Sequence, residues 1–150
     1  MTDIRAAFEA AYGRPADGVW SSPGRVNLIG EHTDYNNGFV LPFGIDRRTW
    51  AAVAVRDDRE IHLRSTFADG EVVGDLDALT LDSMSGWSAY VLGVAWAMAD
   101  AGIDLSGARG LDVLIDSDVP VGAGLGSSAA LECAAGAAFN EPVGPGTGQD

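Results

Sequence analysis

The chain of 150 residues contains no lysine. All of its side-chain positive charge comes from nine arginines, set against 22 acidic residues for a net charge of −13. A surface of that sign repels nucleic acid phosphates and anionic lipid, so neither nucleic acid nor a membrane is an expected partner. One local cationic pocket is still allowed. Cysteine is almost as scarce. Cys133 stands alone, so no internal disulfide can form, which suits a reducing cytoplasm. Cys133 itself reads most simply as a small buried apolar residue. Long hydrophobic runs are missing too. The longest, Ala89 to Ala99, falls short of the about 20 residues that a bilayer requires. The opening "MTDIRAAFEAAYGR" mixes charges with apolar residues at helical spacing, unlike a signal peptide. A soluble, cytoplasmic protein is expected. No internal repeat is visible.

Apolar residues, by contrast, make up 47% of the chain, enough for the core of one domain. Ile4, Ala7, Phe8, Ala11 and Tyr12 share one helical face, with Thr2 or Asp3 as cap and Gly13 as stop. "RPADG" reads as a linker. Val19 and Trp20 open a short strand, and "VNLIG" follows "SSPGR" as a second short extended piece. "TDYNNG" carries the Asn-Gly pair of a tight hairpin turn, and "FVLPFGI" is the return strand, Pro42 indicating an edge or a bulge. "TWAAVAV" and "EIHLRS" flank "RDDR" as a second hairpin. "ADG" turns the chain into "EVVG". Trp87, Tyr90, Val91, Val94, Ala95 and Met98 then form a helical stripe ending at Gly102. "GLDVLIDSDVP" is a strand with Leu111, Val113 and Ile115 on one face. "SSAALECAAGAAF" is a helix capped by Ser127 or Ser128, and "NEPVGPGTGQD" a connection. Hairpins first and helices interleaved later predict an α+β domain.

Between that last strand and helix lies "VGAGLG". Backbone N–H groups at a helix N-terminus bind anions, and glycines let the backbone approach closely. A Walker loop needs a lysine, which this chain lacks. A Rossmann fingerprint needs glycine where Ser127 stands, and an acid further on. What remains is a lysine-free anion loop with hydroxyls from Ser127 and Ser128, or a flexible glycine turn before a helix.

"GRVNLIGEHTDYNNG", Gly24 to Gly38, gathers Arg25, Glu31, His32, Thr33 and Asp34 between glycines. Metal, sugar and a plain polar turn are the readings it allows. Zinc prefers several His or Cys ligands, and only one histidine is present here. A sugar fits better, because carboxylates accept hydroxyl hydrogen bonds strongly and an arginine adds a fixed positive fork.

"GRVNLIGEHTDYNNGFVLPFGIDR" closely resembles the galactokinase signature, and "PVGAGLGSSAALE" resembles the phosphate loop of the wider GHMP kinases. "WSAYVLGV" is similar to a further galactokinase segment. The resemblance runs from Trp20 to about Phe139. It implies a ribosomal-protein-S5-like GHMP kinase N-terminal domain over residues 1–150, with a galactose-binding region at 1–48 and an ATP phosphate-loop region at 109–140. It implies ATP-dependent phosphorylation of the galactose anomeric hydroxyl, with ATP and Mg2+. Glu31, His32, Thr33 and Asp34 would bind the sugar, and Arg25 would stabilise charge on the transferring group. Gly122, Ala123, Gly124, Leu125, Gly126, Ser127 and Ser128 would cradle the phosphates, with Ser128 touching the metal. Trp87 and Tyr90 would lie near the adenine or serve as core residues.

Gly126 stands where galactokinases usually have serine. The family's catalytic aspartate, its magnesium-binding glutamate and its second domain are expected beyond residue 150. The fold is thus expected to be incomplete at the C-terminus, and the 150 residues alone inactive. Asp150 lacks the surrounding motif and is not assigned as the base. A kinase for N-acetylgalactosamine or arabinose, or a non-catalytic galactose sensor on the same fold, are the alternatives.

Overall fold

The computed structural model describes residues 3–30 and 36–143. A five-stranded sheet has helix α1 (Ile4–Tyr12) on one face and helices α2 (Ser88–Asp100) and α3 (Ser127–Val143) on the other. Its strands are β1 (Gly18–Ile29), β2 (Leu41–Val55), β3 (Glu60–Ser65), β4 (Val72–Asp75) and β5 (Leu111–Ser117), in the spatial order β1-β2-β5-β3-β4. Only the β3–β5 pairing is parallel.

Helix α1 forms as its pattern predicts. The Asp3 carboxylate accepts the N–H groups of Arg5 and Ala6, and Gly13 ends the helix in the left-handed region, at φ 71°. Ile4 and Phe8 pack against Ala52, Ala54 and Leu114. The opposite face of the same strands presents Ala51, Val53, Val113 and Ile115 to Val91, Leu131, Ala135 and Phe139. Alternation along each strand thus feeds two cores.

Several expectations are corrected. β2 and β3 do not form a hairpin, because β5 lies between them and pairs with both. Leu111 to Ile115 are buried on both faces, as a central strand requires. The two short pieces around "SSPGR" are one strand. Pro23 pairs with Arg48 while Arg25 pairs with Gly44, so β2 bulges over 45–47 opposite Gly24. A second irregularity sits between Asn27 and Ile29, beside Pro42, as the proline indicated. β1 ends at Ile29 and β2 begins at Leu41, with Asn37 left-handed at φ 57°; residues 33–35 of the expected turn lie outside the described ones. Helix α3 continues to Val143, so part of the expected connection is helical; residues 144–150 lie outside the described ones. Cys133 is exposed, not buried. The buried positions of α3, Ala130, Leu131, Ala134, Ala135, Ala138 and Phe139, repeat at helical spacing and leave Cys133 off their face.

The linker and the "RDDR" turn also carry structure. Asp112, 4% exposed, is a buried carboxylate. Arg14 reaches it through Nε and Nη2 at 3.1 and 2.6 Å, and Arg56 through Nη1 at 2.7 Å. Pairing of this kind is what makes a buried charge tolerable. Beside it, His62 lies between two carboxylates, Glu71 at 2.7 Å from Nδ1 and Glu60 at 2.9 Å from Nε2. Two ionised carboxylates can be satisfied only if both ring nitrogens carry protons. Burial alone would lower the His62 pKa, but the bonds to Glu60 and Glu71 outweigh it and hold the imidazole above its ordinary range. Burial pushes the Tyr12 hydroxyl well above the usual phenol range, where it donates to the carbonyls of His62 and Val113.

Candidate active site

β2 pairs with β5 only from Thr49 onward, so its Leu41–Arg48 part and the facing part of β1 form a two-stranded ribbon beyond the sheet. The glycine-rich loop, 119–126, is packed against this ribbon. The Arg25 N–H donates to the Leu125 carbonyl at 2.8 Å. A Cβ added to Gly24 would lie 3.0 Å from that same carbonyl oxygen and 3.1 Å from Val119, so the approach favours glycine. The side chain of Arg25 passes beside the loop's last residue: a Cβ on Gly126 would lie 3.6 Å from Arg25 Nε.

Gly122, Gly124 and Gly126 have φ of 75°, 71° and 67°, in the region open to glycine and strained for other residues. Gly126 leads directly into α3, its carbonyl accepting the Ala130 N–H at 2.9 Å. The helix is therefore closed by backbone, with Ser127 and Ser128 inside its first turn rather than before it as caps. That leaves N–H groups and two hydroxyls at the positive end of α3.

Beside that end opens a cavity of about 460 Å³. Ser127 and Ser128 line it together with Trp87, Tyr90, Phe67 and Val121. Phe67 meets Trp87 edge-on, with ring centroids 5.6 Å apart. At its inner end the Thr49 and Ser117 hydroxyls are hydrogen-bonded at 2.8 Å. The arrangement is a polar helix end, with hydroxyls and backbone N–H groups, next to a largely apolar hollow. It can hold a molecule with an anionic end and a flat apolar end.

Of the residues singled out from sequence, Arg25 and Gly122 to Ser128 come together here, with Trp87 and Tyr90 at the cavity wall. Glu31, His32, Thr33 and Asp34 lie outside the described residues; in sequence they fall between Gly30 and Asn36. Thr49, Phe67 and Ser117 were missed. Thr49 and Ser117 are cross-strand partners, so the β2–β5 register would have found them. Phe67 sits after β3 with no local pattern to mark it. Among the described residues, no group of three or more His, Cys, Asp or Glu side chains could hold a metal ion, and no helix is long and apolar enough to cross a membrane.

Comparison with known proteins finds matches in two segments of the chain. Residues 6–55 match the galactokinase galactose-binding signature, and residues 89–148 match the GHMP kinases N terminal domain. The chain is 48% identical to a galactokinase of Chloroflexus aggregans, over 93% of this chain and 35% of that protein. It is 50% identical to a galactokinase of Streptomyces coelicolor, over 89% of this chain and 34% of that protein. It thus spans about a third of the length of the curated relatives it matches. The crystal structure of Lactococcus lactis galactokinase complexed with galactose superimposes with a TM-score of 0.81 at 34% identity, covering 93% of this chain and 36% of that one. A mevalonate kinase of Methanococcus jannaschii, 20% identical, shares the fold at a TM-score of 0.66, over 83% of this chain and 41% of its own. The chain thus carries two segments, one matching the galactose-binding signature of the galactokinases and one matching the N-terminal domain of the GHMP kinases.

Proposed function

We propose that this chain supplies the sugar-binding and phosphate-binding parts of an ATP-dependent galactokinase, which converts D-galactose to galactose 1-phosphate. The observation that carries the reading is the meeting of Arg25 with the glycine loop, on a ribbon whose next residues in sequence are Glu31 to Asp34. Residues 1–48 then form the galactose region and residues 109–140 the phosphate region.

In this reading Glu31 and Asp34 accept hydrogen bonds from sugar hydroxyls, with His32 and Thr33 completing the contacts. The N–H groups of Gly122 to Ser128 and the dipole of α3 hold the ATP phosphates, in place of a Walker lysine. Trp87, Tyr90 and Phe67 offer apolar walls to the adenine. Arg25 places positive charge where negative charge spreads over the transferring phosphoryl group. The donors at hand suit magnesium, a hard cation bound mainly by phosphate oxygens, with Ser128 adding a hydroxyl. The ion would supply charge neutralisation on the phosphates. No residue of this chain is assigned as the base for the sugar hydroxyl.

The test is a coupled ADP-release assay on the gene product that carries this chain, with galactose, N-acetylgalactosamine and arabinose as acceptors. Galactose-dependent ADP release, with the highest kcat/KM for galactose, is expected. Higher kcat/KM for another sugar would reassign the substrate. Galactose binding without ADP release would make the protein a sensor.

A further inference from the structure

The glycine loop is fastened to the ribbon at both ends, and only the second fastening involves Arg25. At the first, the Asp118 carboxylate accepts the Arg48 backbone N–H at 2.6 Å, and the Asp118 N–H returns a bond to the Arg48 carbonyl at 3.1 Å. The Arg47 guanidinium stands 3.9 Å from the other carboxylate oxygen. Between the two fastenings Val119 is buried, while Pro120 to Gly124 are exposed. A span this rich in glycine has many backbone states to lose, so its shape depends on how its ends are held.

We propose that Asp118 is a positioning residue for the phosphate loop. Its carboxylate holds the start of the loop to β2, as the Leu125 carbonyl holds its end to β1. The N–H groups between then keep one spacing and one distance from Arg25. Asp118 does not line the cavity, so it acts through the loop and not on the nucleotide. The bond to the Arg48 N–H is short and depends on where the acceptor oxygen lies, whereas the Arg47 pair is long and exposed and contributes little. The acceptor oxygen therefore matters more than the charge. The inference rests on reading the loop as the ATP phosphate site.

The contrast among three substitutions tests it on the gene product that carries this chain. Asp118→Ala removes the acceptor. Asp118→Asn keeps an acceptor oxygen at the same distance and removes the charge. Asp118→Glu keeps the charge and displaces the oxygen. Calorimetric titration with MgADP should show binding about ten-fold weaker in the alanine and glutamate variants, and near wild type in the asparagine variant. kcat should fall in the same order, with the galactose KM unchanged. Hydrogen exchange should quicken over residues 119–126 of the alanine variant and not in β3 or β5. If the alanine variant does not fold, the asparagine–glutamate contrast carries the same test. MgADP affinity and kcat at wild-type level in Asp118→Ala, or Asn and Glu in the reverse order, would overturn the positioning role alone. A wild-type protein that does not bind MgADP would overturn the phosphate-site reading and this inference with it.

Discussion

From Thr49 to Val53, β2 lies between β1 and β5, and Ala51 to Ala54 are fully buried. From Leu41 to Arg48 the same strand pairs with β1 alone, and Leu41 and Phe43 are 55% and 50% exposed. The inner half carries the core, and the outer half carries the contacts that hold the glycine loop: Arg48 to Asp118, and Arg25, on the facing strand, to Leu125. One strand thus divides into a part packed in the core and a part to which the glycine loop is fastened. Placing site residues on the extension of a packed strand fixes their position without requiring them to be buried. The division should show in mutants, because the two halves should fail in different ways.

The sharpest break is in the inner half. Phe139, on α3, belongs to the core cluster that includes Ala51 and Val53 of that half, and is 2% exposed. Phe139→Ala should cost about 3–5 kcal/mol in urea unfolding, with little change in kcat for the fraction that remains folded. Arg25→Ala should do the reverse. Its kcat should fall about 100-fold, more than its KM values rise, while stability moves by less than about 0.5 kcal/mol. A folded Arg25→Ala protein with unaltered kcat would make the residue structural. Asp34→Ala should raise the galactose KM about ten-fold and leave MgADP binding alone. Equal weakening of both ligands would end the sugar assignment.

The smallest effect lies away from the ribbon, at His62. A histidine whose folded pKa is raised contributes stability that is fully present below its ordinary value of about 6.5. That contribution is lost as pH rises through the raised value. Thermal melts from about pH 6 to 9 should therefore show a decline in the wild type that is flatter in His62→Gln, with a difference under about 1 kcal/mol. Parallel curves would mean that the Glu60–His62–Glu71 bridge carries no net stability.

Local signals were readable where they act within one element. The caps of α1, the stripe of α2, the alternation of β5 and the glycine loop all follow from periodicity and turn chemistry. Pairing across the chain was not. "TWAAVAV", "RDDR" and "EIHLRS" look like a hairpin because nothing in them records that a strand from residues 111–117 will come between. Cys133 was misplaced because α3 is alanine-rich on every side, so its polar contrast does not reveal which face is buried. In the site, the loop and its serines were marked by their own residues. Arg25 was marked by resemblance, and its closeness to Gly126 appears only once β1 and the loop are folded together.

The late entry of β5 has a consequence for synthesis. β2 and β3 leave the ribosome in succession, yet the strand that joins them follows only after β4 and α2. At typical elongation rates the delay from Ser65 to Ser117 is about 3–10 seconds. During that interval Ala51 to Val55 and Ile61 to Leu63 present unpaired apolar edges, the kind that associate with other chains. The charges of Arg56, Asp57, Asp58 and Arg59 stand between those two edges. Before they serve any folded contact, they are placed to keep the nascent strands apart from their neighbours until β5 arrives.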